Sequence, residues 1–147
     1  MAGVRQATVK WSGDLATGSG LLSAGSSGSF SKLPVSWASR IEQSDGKTSP
    51  EELLAAAHAS CFSMSFSSQL ARAGNPPESL DVSCEVTFDR IDGKLTVLSS
   101  KLVVRGHVHG LDAARFAELA VVAKDGCPIS RALAGNVDLS VEATLES

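Results

Sequence analysis

A chain of 147 residues with 43% hydrophobic and 20% charged side chains is sized for one globular domain around a single core, and no internal repeat or domain boundary divides residues 1–147. Thirteen basic and 16 acidic residues leave a formal charge of -3 with no Lys/Arg run, so neither nucleic acid nor an anionic membrane surface is an expected partner. The start, MAGVRQATVKW, lacks the charged-then-apolar pattern of a secretory signal, and three cysteines without a CxxC pair do not make a disulfide framework, so a cytoplasmic protein with reduced thiols is expected.

The first 38 residues read as β structure with loose connections. Val4 to Trp11 is rich in strand formers, Ser12-Gly13-Asp14 predicts a turn, and Gly18 to Leu22 predicts the returning strand. Ser23 to Ser29 is a Gly/Ser-rich loop, and Pro34 confines any strand in Phe30 to Ala38 to an edge or a bend. Ser39 to Lys47, SRIEQSDGK, reads as a polar loop containing Arg40.

Thr48 to Ala73, TSPEELLAAAHASCFSMSFSSQLARA, predicts a helix of about 24 residues. Ser49 as N-cap, Pro50 at the first helical position and Glu52 three residues after the cap write its start as a capping box. Arg72 in the last turn, Gly74 as the left-handed terminator and Pro76-Pro77 write its end. Residues 53 to 71 form 19 consecutive positions without Asp, Glu, Lys or Arg, long enough to consider a membrane span. Five serines, a His and a Gln argue instead for a helix enclosed by protein.

After the prolines, Leu80, Val82, Cys84, Val86 and Phe88 alternate with polar residues, the pattern of a half-buried strand. Asp92-Gly93 then predicts a tight hairpin into Leu95 to Val108. Leu111 to Lys124 returns to helical spacing, with Leu111, Phe116, Leu119, Ala120 and Ala123 on one side. Cys127 precedes a short helix opened by Pro128 and closed before Gly135, and Val137 to Leu145 alternates as a final strand. Grouped strands with two substantial helices between them give an α+β fold of antiparallel sheets around a long central Cys-bearing helix, rather than a regular βαβ repeat.

The cysteines differ in their local settings. Cys84 lies on the apolar face of its strand and reads as a small core residue. Cys127 stands at a helix N-terminus, where dipole and free amides favour a thiolate, and reads either as a reactive thiol or as a plain cap. Cys61 lies mid-helix beside Leu54, Ala57, Met64, Ser65 and Ser68, and a buried apolar setting raises a thiol pKa. It is therefore either inert packing or a thiolate rescued by a cation from elsewhere; His58, one turn away, and Arg40 are the titrating and charged neighbours to consider.

Thr48 to Met64, TSPEELLAAAHASCFSM, together with Gly126 to Leu133, GCPISRAL, resembles the OsmC/Ohr family of thiol peroxidases, with His58 pointing to its OsmC branch. The two cysteine motifs stand 66 residues apart in matching flanks, and the similarity in order and spacing extends over nearly the whole chain. The resemblance implies an intertwined homodimer with two active sites at its interface. It also implies that Cys61 is the peroxidatic thiol, Cys127 the resolving thiol, Arg40 the stabiliser of the Cys61 thiolate, and Glu51 the carboxylate that orients Arg40. The reaction implied is reduction of organic hydroperoxides, including fatty-acid ones, and more weakly of hydrogen peroxide, through a Cys61 sulfenic acid and a Cys61–Cys127 disulfide. No cofactor or metal is implied; an external dithiol, with a lipoylated protein as one form, reopens the disulfide.

Helix geometry adds a constraint. Glu51 and Cys61 are ten residues apart, about 15 Å along one helix, so two antiparallel copies of the helix are expected to let Glu51 of one chain serve Cys61 of the other. Three rival readings remain at this point. They are a cysteine hydrolase with His58 as base, a metal site on His107 and His109 sharing a strand face, and a non-catalytic dimeric redox sensor or apolar-ligand binder on the same scaffold.

Overall fold

The computed structural model describes residues 1–147, which form two compact units, Met1–Leu53 and Leu54–Ser147.

The first unit is an antiparallel meander. β1 (Ala7–Ser12) pairs with β2 (Ser19–Ala24), and β2 pairs with the short β3 (Leu33–Val35). Pro34 sits in β3, an edge strand of this sheet, where its missing N–H leaves no ladder bond unmade. The turn between β1 and β2 uses Asp14, whose carboxylate accepts bonds from the Thr17 amide and hydroxyl, and Gly13 at positive φ. β1 is exposed along its whole length. Val9 and Trp11 of β1, and Leu21 of β2, stand in solvent.

Arg40 is not in a loop. Trp37–Ile41 forms the short helix α1, and Arg40 lies in its last turn. Ser36 caps it with a reciprocal bond to Ser39, the capping-box geometry achieved with serine where glutamate is usual.

α2 (Pro50–Arg72) begins in the first unit and runs through the second. The Ser49 hydroxyl accepts from the Glu52 amide, but the Glu52 carboxylate accepts from the Thr48 hydroxyl rather than closing the box on Ser49. Gly74 ends the helix at φ +88, with Asn75 N–H bonding Leu70 C=O and Gly74 N–H bonding Ala71 C=O, a Schellman closure. Within the chain α2 is not enclosed on all sides. His58, Phe62, Phe66 and Leu70 form one fully buried stripe at four-residue spacing, while Met64 on another side is 73% exposed.

In the second unit β4 (Ser79–Ile91) and β5 (Lys94–His107) form the predicted hairpin, with Asp92 and Gly93 both at positive φ as a type I′ turn demands. β6 (Asp138–Leu145) pairs with β5 in parallel, so the sheet is mixed and not wholly antiparallel. A parallel neighbour requires a crossover, and α3 (Ala113–Gly126) with α4 (Pro128–Leu133) supplies it. This β5-α3-α4-β6 passage is one βαβ unit within an otherwise α+β chain.

The core gathers Phe62, Phe66 and Leu70 of α2, Leu102 and Val104 of β5, and Phe116, Leu119, Ala120 and Ala123 of α3. Phe66 is tilted against Phe62 at 5.4 Å and against Phe116 at 4.9 Å between ring centroids. Gly106 of β5 lies under Phe116, and an added Cβ would stand 2.7 Å from its ring and 2.9 Å from Leu80. Gly106→Ala is therefore expected to cost about 1–3 kcal/mol through overpacking, read as a lower denaturant midpoint with an unchanged slope.

Candidate active site

The structure brings Cys61 and Cys127 together. Cys61 is half-buried in the middle of α2, and Cys127 is buried as the residue between α3 and α4, the N-cap of α4. Pro128 at the first position of α4 starts that helix with no amide to satisfy, and Cys127 makes no side-chain capping bond, so its sulfur is not engaged by the helix end. Burial pushes the Cys61 thiol above its ordinary value, and a hydrogen bond with the Cys127 thiol pushes it further; the Ile129 amide of α4 pulls it down. Both thiols are free, with no disulfide between them.

The helix face expected beside Cys61 is the one that opens to solvent. Cys61, Met64, Ser65, Ser68 and Gln69, with Arg72, Gly126 and Pro128, line a depression of about 430 Å³. Its floor is the side of α2 away from the buried stripe.

Arg40 and Glu51 form a separate cluster in the first unit. Arg40 Nε donates to Glu51 Oε1 at 2.9 Å and Oε2 at 3.2 Å, and a terminal guanidinium nitrogen donates to Oε1 at 2.6 Å. Glu51 is 5% exposed and Arg40 31%, so the carboxylate is buried and its cation reaches toward solvent. The guanidinium also lies 5.8 Å from the centre of the Trp37 ring, a cation–π contact. The fork geometry holds the guanidinium plane fixed. Beside it, Trp11, Leu15, Val35, Trp37 and Pro50 line an apolar depression of about 110 Å³.

His58 is fully buried, and both ring nitrogens are taken: Nδ1 by the Ser100 hydroxyl at 2.6 Å and Nε2 by the Ser130 hydroxyl at 2.8 Å. Neither is left to accept a proton from Cys61, which removes the hydrolase reading in which His58 is the base. Cys84 packs against the core as expected, but its Sγ also lies 3.1 Å from the Ser100 hydroxyl, and burial pushes its thiol up. The sequence left Ser100 and Ser130 unremarked; a serine two residues past Pro128 in GCPIS was the one local sign.

Burial holds the His58 imidazole below its ordinary value. The unfolded chain binds a proton near pH 6.5 and the native one does not, so native stability is expected to fall as pH drops below about 6.5. Denaturant midpoints from pH 7.5 down to 5 check this, with His58→Gln expected to flatten the acid-side decline.

The metal reading fails on geometry. β5 ends at His107, whose ring meets Ser147, while His109 lies in the following turn against Glu78. No group of three or more His, Cys, Asp or Glu side chains is placed to hold a metal ion. No helix is long and apolar enough to cross a membrane.

Comparisons with known proteins follow the same outline. A family model described as OsmC-like protein matches residues 43–142. The chain is 37% identical over 132 residues to Peroxiredoxin OsmC of Escherichia coli, covering 90% of this chain and 91% of that one. It is 36% identical over 106 residues to the organic hydroperoxide resistance protein-like 1 of Staphylococcus epidermidis, covering 68% and 72%. Among solved structures it superposes on the organic hydroperoxide resistance protein OhrB of Bacillus subtilis with a TM-score of 0.75 at 25% identity, covering 95% of this chain and 98% of that one.

Proposed function

The chain belongs to the OsmC-like family, and from that membership we propose that it acts as a single-domain, cysteine-based peroxidase reducing organic hydroperoxides, and hydrogen peroxide more weakly, to alcohols and water. The observation that carries the reading is the contact of the Cys61 thiol, which lines an open depression, with the buried Cys127 thiol.

The Cys61 thiolate attacks the distal oxygen of ROOH. The O–O bond breaks, the alkoxide leaves and takes a proton as alcohol, and Cys61 becomes a sulfenic acid. The Cys127 sulfur then attacks the Cys61 sulfur; the S–O bond breaks, water leaves with the Cys127 proton, and a Cys61–Cys127 disulfide forms. A dithiol reopens it by exchange, its own sulfurs ending as the new disulfide. A vicinal dithiol such as a lipoyl group on a carrier protein suits that step, in a reducing cytoplasm. No cofactor takes part.

The first step needs a thiolate, and burial within its own chain works against one at Cys61 by pushing the thiol up. Arg40 is the cation assigned to it and Glu51 the carboxylate that aims Arg40. Ten residues of helix, about 15 Å, separate Glu51 from Cys61 on one chain, so the pair serves Cys61 of a partner in a homodimer. The exposed Val9, Trp11, Leu21 and Met64 support a second chain as their cover.

One equivalent of cumene hydroperoxide, followed by mass spectrometry of the digest, tests the reading. The expected product is a Cys61–Cys127 peptide pair lighter by two hydrogens; both cysteines remaining alkylatable after peroxide is consumed would refute it.

A further inference from the structure

The core of the second unit holds one polar cluster to which the peroxide chemistry assigns no role. His58 of α2 meets Ser130 of α4 at 2.8 Å and Ser100 of β5 at 2.6 Å, and Ser100 lies 3.1 Å from Cys84. No buried side-chain polar atom is left without a partner, so the cluster is complete. An apolar side chain at position 58 would continue the Phe62, Phe66 and Leu70 stripe without any polar group to desolvate. What the imidazole adds over such a residue is direction: a hydrogen bond fixes the rotation and register of its partner, which apolar contact leaves freer.

The partner is the element that carries Cys127. Within α4 the one buried residue is Ser130, so the His58 contact is the anchor of that six-residue helix in the core. His58 and Cys61 are three apart on α2, and the N-cap Cys127 and Ser130 are three apart at the start of α4, so within each pair the two residues are neighbours about one turn apart. The two contacts therefore lie side by side in opposite chain senses: Cys61 with Cys127, and one turn away His58 with Ser130. A shift of α4 that broke one would break the other.

We propose that His58 is a positioning residue, which through its hydrogen bond to Ser130 sets the approach of Cys127 to Cys61 and with it the ease of forming their disulfide. The inference rests on Cys61 and Cys127 being a redox pair. His58 takes no proton in the step; a neutral ring donates from one nitrogen and accepts at the other. Ser100, on the far side of the ring, orients the imidazole but does not touch α4's cysteine.

Two serine variants test this without opening a large cavity. Full-length wild type, Ser130→Ala and Ser100→Ala are equilibrated with reduced and oxidised dithiothreitol, alkylated, and weighed for the ratio of Cys61–Cys127 disulfide to dithiol. Ser130→Ala is expected to lower the ratio about 10-fold and Ser100→Ala less than about 2-fold, the scale of a misplaced reacting atom. In rapid-quench experiments with cumene hydroperoxide, Ser130→Ala should form the sulfenic acid at the wild-type rate and the disulfide more slowly. A Ser130→Ala ratio equal to that of wild type or of Ser100→Ala overturns the proposal, as does equal slowing of both chemical steps. Wild type that forms the disulfide from dithiothreitol yet leaves hydroperoxide intact refutes the peroxidase reading instead, and the ratio still decides the role of His58.

Discussion

Cys61→Ser is expected to lower hydroperoxide turnover at least about 10³-fold, a loss of roughly 4 kcal/mol of transition-state stabilisation. A serine hydroxyl does not ionise in this half-buried site, and its oxygen cannot take an oxygen atom from the peroxide and later give it up to a thiol. Cys127→Ser separates the two halves of the cycle. It should consume one equivalent of hydroperoxide, since Cys61 is untouched, and then stall as a sulfenic acid that excess peroxide carries on to the irreversible sulfinic form. Peroxide loss with a dithiol present for Cys61→Ser, and without any external thiol for Cys127→Ser, followed alongside the mass of each protein, reads both outcomes. Equal turnover by wild type and Cys61→Ser would remove Cys61 from the chemistry.

Mixed dimers give the second large effect. Glu51→Ala frees the Arg40 guanidinium from its 2.9 Å anchor and is expected to slow the homodimer about 10²-fold, the scale at which removing one preorganised electrostatic partner acts. In the proposed homodimer, Cys61→Ser on both chains is expected to abolish turnover for the reason above. A dimer with one chain of each kind contains one site with Cys61 from the first chain and Glu51 from the second. If the pair acts across the dimer, that site is intact and activity returns to about half the wild-type value per dimer, as two-fold symmetry requires. Activity no higher than that of the two parent homodimers mixed without exchange would place Arg40 and Glu51 on the same chain as the Cys61 they serve.

The elements most legible in the sequence are those whose periodicity and ends agree. Ser49, Pro50 and Gly74 delimit α2 to within two residues of the expected bounds, and Asp92-Gly93 marks the β4–β5 turn, because caps and positive-φ turns are decided by near neighbours. The apolar faces of β4, α3 and β6 were readable for the same reason. Three features were not. α1 has five residues, too few for a period to emerge, and its serine capping box hides among other serines, so Arg40 read as a loop residue. The direction of β6 is a property of the crossover that delivers it, and an alternating strand looks the same parallel or antiparallel. The exposure of the Met64 side of α2 could not be foreseen from an apolar run that looked suited to full enclosure. Cys61, Cys127 and the Arg40–Glu51 pair were named as candidates from the residues and the resemblance, whereas His58's partners lie 42 and 72 residues away and no spacing rule connects them.

The parallel pairing of β6 with β5 also places the chemistry late in the life of the chain. Cys127 stands inside the passage between two strands that cannot align until the passage itself is complete and the last strand, Asp138–Leu145, has docked. A ribosome delivers Cys61 well before that moment, and contacts of such sequence separation form slowly. On the proposed mechanism the nascent chain therefore carries a Cys61 thiol that has no resolving partner until the C-terminal strand is home.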